Sequence, residues 1–254
     1  MTEWTRGVQR LYDERVGWKV NHEFYEHSDF LNFGYWQPST RSAREACETL
    51  LEMLLAAIPE KRGSILDVAC GKGATTQYLL KYFSPTDVTA INISDKHLEI
   101  CREKLPQVTF LSMDACRLDF EDASFDNIIC VEAAFLFDTR ERFLREAHRV
   151  LRPGGHLVLS DILKPKQFPR QLPANYVEGI DAYRELYGRA GFSCVDVVDA
   201  TEPCIARFAD GVCRFAMGKV QEGQMRKAAF VRIRNVVRLM QATHTYLLVH
   251  AAKT

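Results

Sequence analysis

Residues 64–80 read SILDVACGKGATTQYLL: an apolar strand, two glycines within three residues, then a helix. Such a turn is a binding corner. Glycine lets the backbone adopt positive φ and approach a ligand closely, and the helix start adds unpaired N–H donors. The neighbours decide which ligand. A P-loop needs GxxxxGK[ST], but Gly71-Lys72-Gly73 is followed by Ala74-Thr75-Thr76, with no lysine after the second glycine. The dinucleotide pattern GxGxxG fails at Thr76, where a third glycine would allow close helix–strand packing. Asp67, at the end of the strand, would repel a pyrophosphate and suits a ligand that carries an ammonium group.

Downstream, strands and helices alternate. Strands are expected at 64–69, 87–92, 108–113, 125–133, 156–163, 193–200 and 244–252. Helices are expected at 73–83, 94–105, 139–151 and 179–190, the last two stopped by Pro153-Gly154-Gly155 and by Gly191. A long helical segment covers roughly 203–242. Upstream, residues 39–58 form a helix, with Ala46, Leu50, Leu54 and Ile58 on one face and Ser42 with Glu45 as a capping box. Residues 1–38 hold Trp4, Tyr12, Trp18, Phe24, Tyr25, Phe30, Phe33, Tyr35 and Trp36 and read as two short helices and a loop. The alternation predicts an α/β, doubly wound, mostly parallel sheet, with ligands at the carboxyl ends of its strands. The organisation is a cap (1–60), a core (61–202), a helical lid insertion (203–242) and a final core strand (243–254).

Lys+Arg and Asp+Glu both number 33, which argues against a broad nucleic-acid surface. The basic cluster at Arg226–Arg238 reads as a solvated helix face. The eight cysteines include no CxxC pair, so no metal site is expected. They suit a reducing cytoplasm. No apolar run reaches membrane-spanning length, and the first residues lack a secretory pattern.

Two further strand ends sharpen the ligand. Asn92 can bind ribose hydroxyls, and Asp114 can accept from an adenine amino group. With Asp67 they describe S-adenosylmethionine. The stretches ILDVACGKGATT, VTAINIS, MDACRLDFEDASFDNIICVEA and FLREAHRVLRPGGHLVLSDIL, with LNFGYW upstream, resemble class I S-adenosylmethionine-dependent methyltransferases of the small-molecule, natural-product and tocopherol-like group. The resemblance covers about residues 28–165. It implies a Rossmann-like sheet of seven strands whose seventh is antiparallel between the fifth and sixth. The cofactor shell it implies comprises Asp67, Ala69, Cys70, Gly71 and Gly73 at the corner, and Asn92, Ile93 and His97 after the second strand. Asp114, Ala115 and Cys116 follow the third strand, Glu132 the fourth, and Tyr35 and Trp36 come from the cap. Relatives usually have an acidic residue at the position of Asn92, often Gln at His97, and often His at Leu136, where that histidine is the base for O-methylation.

Methyl transfer needs a nucleophile held in line and, for a hydroxyl, a proton acceptor. With Leu136 unable to serve, Asp161 after the fifth strand is the leading catalytic candidate, followed by Glu132, His22 and His27. His148, His156, His244 and His250 read as structural. The function expected is methyl transfer to a small, partly apolar metabolite, with O-methylation favoured and C- or N-methylation open. The alternatives are a relative that binds the cofactor but catalyses a cyclisation, a pseudo-enzyme partner, or, less well supported, an NAD-dependent oxidoreductase.

Overall fold

The computed structural model describes residues 1–15, 19–168 and 171–254; Trp18 lies outside them. Helices α1 (Glu3–Arg15), α2 (Lys19–Phe24) and α3 (Ala43–Leu55) precede the core. Ser42 caps α3, its hydroxyl accepting from the Glu45 N–H at 3.2 Å. The core runs β1 (Ile65–Val68), α4 (Ala74–Leu79), β2 (Val88–Asn92), α5 (Asp95–Lys104), β3 (Thr109–Ser112), β4 (Phe125–Val131), α6 (Arg140–Val150), β5 (Leu151–Leu163), α7 (Ile180–Ala190) and β6 (Cys194–Asp199). Helices α8 (Arg207–Gln221) and α9 (Lys227–Thr243) then precede β7 (Thr245–Ala252).

The seven strands form one sheet in the order β3-β2-β1-β4-β5-β7-β6. All neighbours are parallel except β7, which runs antiparallel to both β5 and β6. Apolar residues alternate between its faces because strand side chains have a period of two. Ile65, Ile129, Val158 and Leu248 join a core that includes α3, while Leu66, Ile128, Leu159 and Val249 join one that includes α6 and α7. Among the described residues no helix is long and apolar enough to cross a membrane.

Two boundaries differ from expectation. Helix α6 stops at Val150, and Leu151 already pairs with Phe125, so β5 starts before the Pro-Gly-Gly rather than after it. The ladder slips between Phe125 and Asn127 to admit Pro153, which has no N–H to donate. The late helical segment is a hairpin rather than one helix. Gly223 (φ +73°) breaks it, and the Gln224 and Met225 N–H groups turn back onto the Lys219 carbonyl.

Candidate active site

The chain leaves β1 through three left-handed residues, Ala69 (φ +62°), Gly71 (+56°) and Gly73 (+85°). The Cys70 N–H donates to the Ile91 carbonyl at 3.0 Å, which ties the turn to β2. The two glycines do different work. A Cβ on Gly71 would meet nothing nearer than Leu31 Cδ1 at 3.9 Å, because Gly71 faces an open cleft. A Cβ on Gly73 would sit 3.0 Å from Cys101 Sγ; this glycine lets α4 pack on α5.

The cleft encloses about 1060 Å³, mouth included, over the carboxyl ends of β1, β2, β3 and β4. Asp67 lines it and is 1 % exposed. The Thr76 hydroxyl donates to Asp67 Oδ2 at 2.6 Å. Among the described residues no basic side chain pairs with this carboxyl, and burial pushes it up to about 7. Asn92, Ile93, His97, Asp114 and Ala115 also line the cleft. The Asn92 carboxamide oxygen accepts from the Ile93 N–H at 2.7 Å, and its Nδ2 donates to the Gly71 carbonyl at 3.2 Å. Asn92 therefore braces the corner as well as facing the ligand space. Asp114 Oδ1 accepts from the Cys116 N–H at 2.9 Å. The Cys116 thiol turns away to the Thr139 carbonyl and is absent from the lining.

The expected cap (1–60) supplies the roof. Thr5, Val8 and Tyr12 of α1 and Phe30 and Leu31 of the following loop close over the corner. The Thr5 hydroxyl lies 3.4 Å from Asp114 Oδ2, and the Tyr12 ring stands edge-on to His97 at 6.3 Å. Asp29 bridges Lys104 and Lys72, the latter at 3.9 Å. Lys72 Nζ lies 3.4 Å from His22 Nε2. The 3.6-residue spacing of Thr5, Val8 and Tyr12 was a readable signal of one face, but not of what that face covers.

On the far wall Glu132 follows β4 with φ +49° and lines the cleft. Its Oε1 accepts from the Phe33 N–H at 2.6 Å and from the Tyr246 hydroxyl at 2.7 Å. Burial pushes its carboxyl up to about 8.

Gly73 and Cys116, expected in the cofactor shell, do not line the cleft, and further expectations also require correction. Asp161 is wholly buried and does not reach the cleft. It accepts from Arg140 Nε at 2.6 Å, from the Tyr183 hydroxyl at 2.8 Å and from the Ile162 N–H at 2.8 Å, a saturated structural carboxylate. Tyr35 and Trp36 pack in the core instead of on the cofactor side. The Trp36 indole donates to the Phe33 carbonyl at 2.8 Å and lies against Gly211 of α8. His27 is exposed, and neither it nor His22 lines the cleft, although His22 reaches Lys72 at its edge.

The geometry matches known proteins. A family model described as a methyltransferase domain matches residues 66–159. Methyltransferase GfsG of Streptomyces halstedii is 31% identical over 195 residues, 69% of this chain and 70% of that protein. The chain belongs to the S-adenosylmethionine-dependent methyltransferases. O-methyltransferase cnsE of Penicillium expansum is 33% identical over 190 residues, 68% of each chain. This methyltransferase also shares its fold with the [4+2]-cyclase SpnF, at a TM-score of 0.76 and 21% identity over 97% of this chain and 95% of that one.

The cofactor is S-adenosylmethionine, and the residues present suit it. A buried carboxyl without a cationic partner faces the ligand space, beside a glycine whose missing Cβ leaves that space clear. Polar side chains stand at the next two strand ends. Thr76, which breaks the dinucleotide pattern, is the residue that orients Asp67.

Proposed function

We propose that this methyltransferase methylates a hydroxyl of a small, partly apolar metabolite, with Glu132 as the proton acceptor. The carrying observation is the Glu132 carboxyl on the cleft wall, with one oxygen fixed by Phe33 and Tyr246. Among the described residues Oε2 takes no protein hydrogen bond, which leaves it available to an acceptor hydroxyl. A carboxyl near 8 is basic enough, once ionised, to take a proton in the transition state. Bound S-adenosylmethionine supplies an electrophilic methyl group on a sulfonium. The corner residues Asp67, Gly71, Asn92 and Asp114 are proposed to hold it, with Asp67 on the ammonium group and Asp114 on the adenine edge.

The apolar part of the cleft supports a partly apolar acceptor: Val8, Phe30, Leu31, Val131, Leu136 and Phe137 line it beside Glu132. On this reading the cap (1–60) shapes the acceptor pocket, while no residue of the hairpin within 203–242 lines the described cleft. Residues 61–202 and the final strand bind the cofactor. The eight free cysteines suit work in the cytoplasm.

The test is Glu132→Gln, assayed with an acceptor identified from a panel of phenols and aliphatic alcohols. The parent should gain activity as pH rises through about 8, as Glu132 ionises. The variant should lose turnover by ~10²-fold or more and lose this pH dependence, while binding S-adenosylhomocysteine nearly as before. Full activity in Glu132→Gln would remove the carboxyl from the reaction. A product isomeric with the substrate, rather than one CH₂ heavier, would instead favour a cyclase.

A further inference from the structure

Helix α9 is apolar on two opposite faces. Its inward face, Phe230, Ile233, Val237 and Met240, follows a 3-4-3 spacing and packs on the molecule, with Val237 5 % exposed. Its outward face follows 3-4-4-3 through Ala228, Val231, Asn235, Leu239 and Ala242, all exposed, with Val236 beside them. Val236 is 58 % and Leu239 54 % exposed, among the most exposed large apolar side chains described. A single inward stripe suffices for a surface helix, so the second stripe needs another explanation.

The charge pattern supplies it. Arg226, Lys227, Arg232, Arg234 and Arg238 lie on or just before α9, and residues 223–254 contain no Asp or Glu. None of the five cations forms an ion pair among the described residues. Arg226, Lys227, Arg232 and Arg238 are exposed, whereas Arg234 leans over the Phe230 ring at 5.8 Å with its Nε buried. On the helical wheel Lys227, Arg234 and Arg238 run along one border of the outward stripe, and Arg232 projects between Leu239 and Val236. The rest of the chain balances these charges at a distance, with a net charge of zero overall.

We propose that the outward face of α9 docks on an anionic phospholipid bilayer, with the helix lying in the plane of the interface. Charge complementarity selects the occupant. A second copy would bring the exposed Arg226, Lys227, Arg232 and Arg238 up against the same cations of its partner. The stripe also lacks the aromatic anchors that concentrate binding energy in protein interfaces. A bilayer instead offers a flat apolar boundary for Val231, Val236 and Leu239 beneath a layer of phosphates for the arginines. The helix, about 25 Å long, would lie on the membrane and not cross it, in accord with the absence of a spanning helix among those described. This surface is independent of the acceptor chemistry.

The experiment is co-sedimentation of the full chain with vesicles of phosphatidylglycerol and phosphatidylcholine, against phosphatidylcholine alone. The protein should pellet only with the anionic vesicles and be released by about 0.5 M NaCl, where the Debye length falls to roughly 4 Å. Arg232→Gln with Arg238→Gln should lower partitioning on the order of 25-fold, about fivefold per cation. Val236→Glu with Leu239→Glu should abolish it while S-adenosylhomocysteine binding is retained. If the glutamate pair unfolds, the arginine pair carries the test. Failure of the parent to pellet with anionic vesicles overturns the proposal, as does unchanged partitioning in a folded variant. A dimer that forms without vesicles and is lost in the glutamate variant also overturns it, by assigning the face to self-association.

Discussion

Asp67, proposed to hold the cofactor's ammonium group, would couple cofactor binding to protons. Its carboxyl sits near 7 because burial penalises the ionised form more than the single Thr76 hydroxyl bond helps it. In the unliganded protein it keeps its proton up to that pH, well above the unfolded value near 3.9. It thus weakens the fold progressively as pH rises from about 4 to about 7. A ligand ammonium group beside it lowers its pKa, so binding near neutral pH expels a proton. Calorimetry with S-adenosylhomocysteine, which keeps that ammonium, should show affinity falling as pH drops below 7, approaching tenfold per unit. The heat should also depend on the ionisation enthalpy of the buffer. A flat profile would show that Asp67 is not the ammonium's partner.

At the scale of the element, the β1–α4 corner separates binding from stability between two glycines. Gly73→Ala puts a Cβ 3.0 Å from Cys101 Sγ at φ +85°. It should destabilise the fold by roughly 1–2 kcal/mol from the left-handed backbone alone, with Cys101→Ala relieving only the contact. Gly71→Val fills cleft space instead. It should abolish S-adenosylhomocysteine binding, at a strain cost set by the branched side chain at φ +56°; Gly71→Ala, which adds no close contact, should lose less melting temperature than Gly73→Ala. Equal losses of stability in the two alanine variants would contradict this division. The corner was legible in sequence because its determinants lie within a dozen residues, and the strand–helix alternation for the same reason. A cap was legible too, but its contacts were not, because the partners of α1 lie far along the chain: Thr5 meets Asp114, and the Trp4 indole donates to the Leu136 carbonyl. Trp36 misled similarly. The family resemblance implies a cofactor contact there, yet Gly211, far downstream, leaves the space that receives the indole.

At the scale of the whole molecule, Arg140 and Asp161 form a buried joint that ties α6 and β5 to Asn175 and, through it, to the cleft wall at Phe137. Arg140 donates to Asp161, to the Ile162 carbonyl at 2.8 Å and to the Asn175 carbonyl. The Asn175 amide in turn donates to the Phe137 carbonyl at 2.8 Å, holding a cleft wall. Sequence reading places Asp161 at a strand end but cannot see that Arg140 and Tyr183, each about twenty residues away, saturate it. Asp161→Asn leaves a buried guanidinium without its counter-charge, which costs roughly 3–5 kcal/mol. The melting temperature should fall on the order of 10 °C. Any loss of turnover should track the folded fraction. A variant that melts like the parent yet is inactive would return Asp161 to the chemistry.

The antiparallel seventh strand also sets an order of assembly during synthesis. Strand β6 pairs with β7 alone, and β7 is the partner of the β5 edge. Until residues 245–252 leave the ribosome, β6 has no place in the sheet and β5 exposes an unpaired, apolar edge of the kind that recruits other chains. The same strand brings Tyr246 to Glu132. A nascent chain can therefore shape the β1–α4 corner early, but it gains the hydroxyl that orients the Glu132 carboxyl only once β7 has been made. Premature termination within β7 should yield insoluble protein more than inactive soluble enzyme.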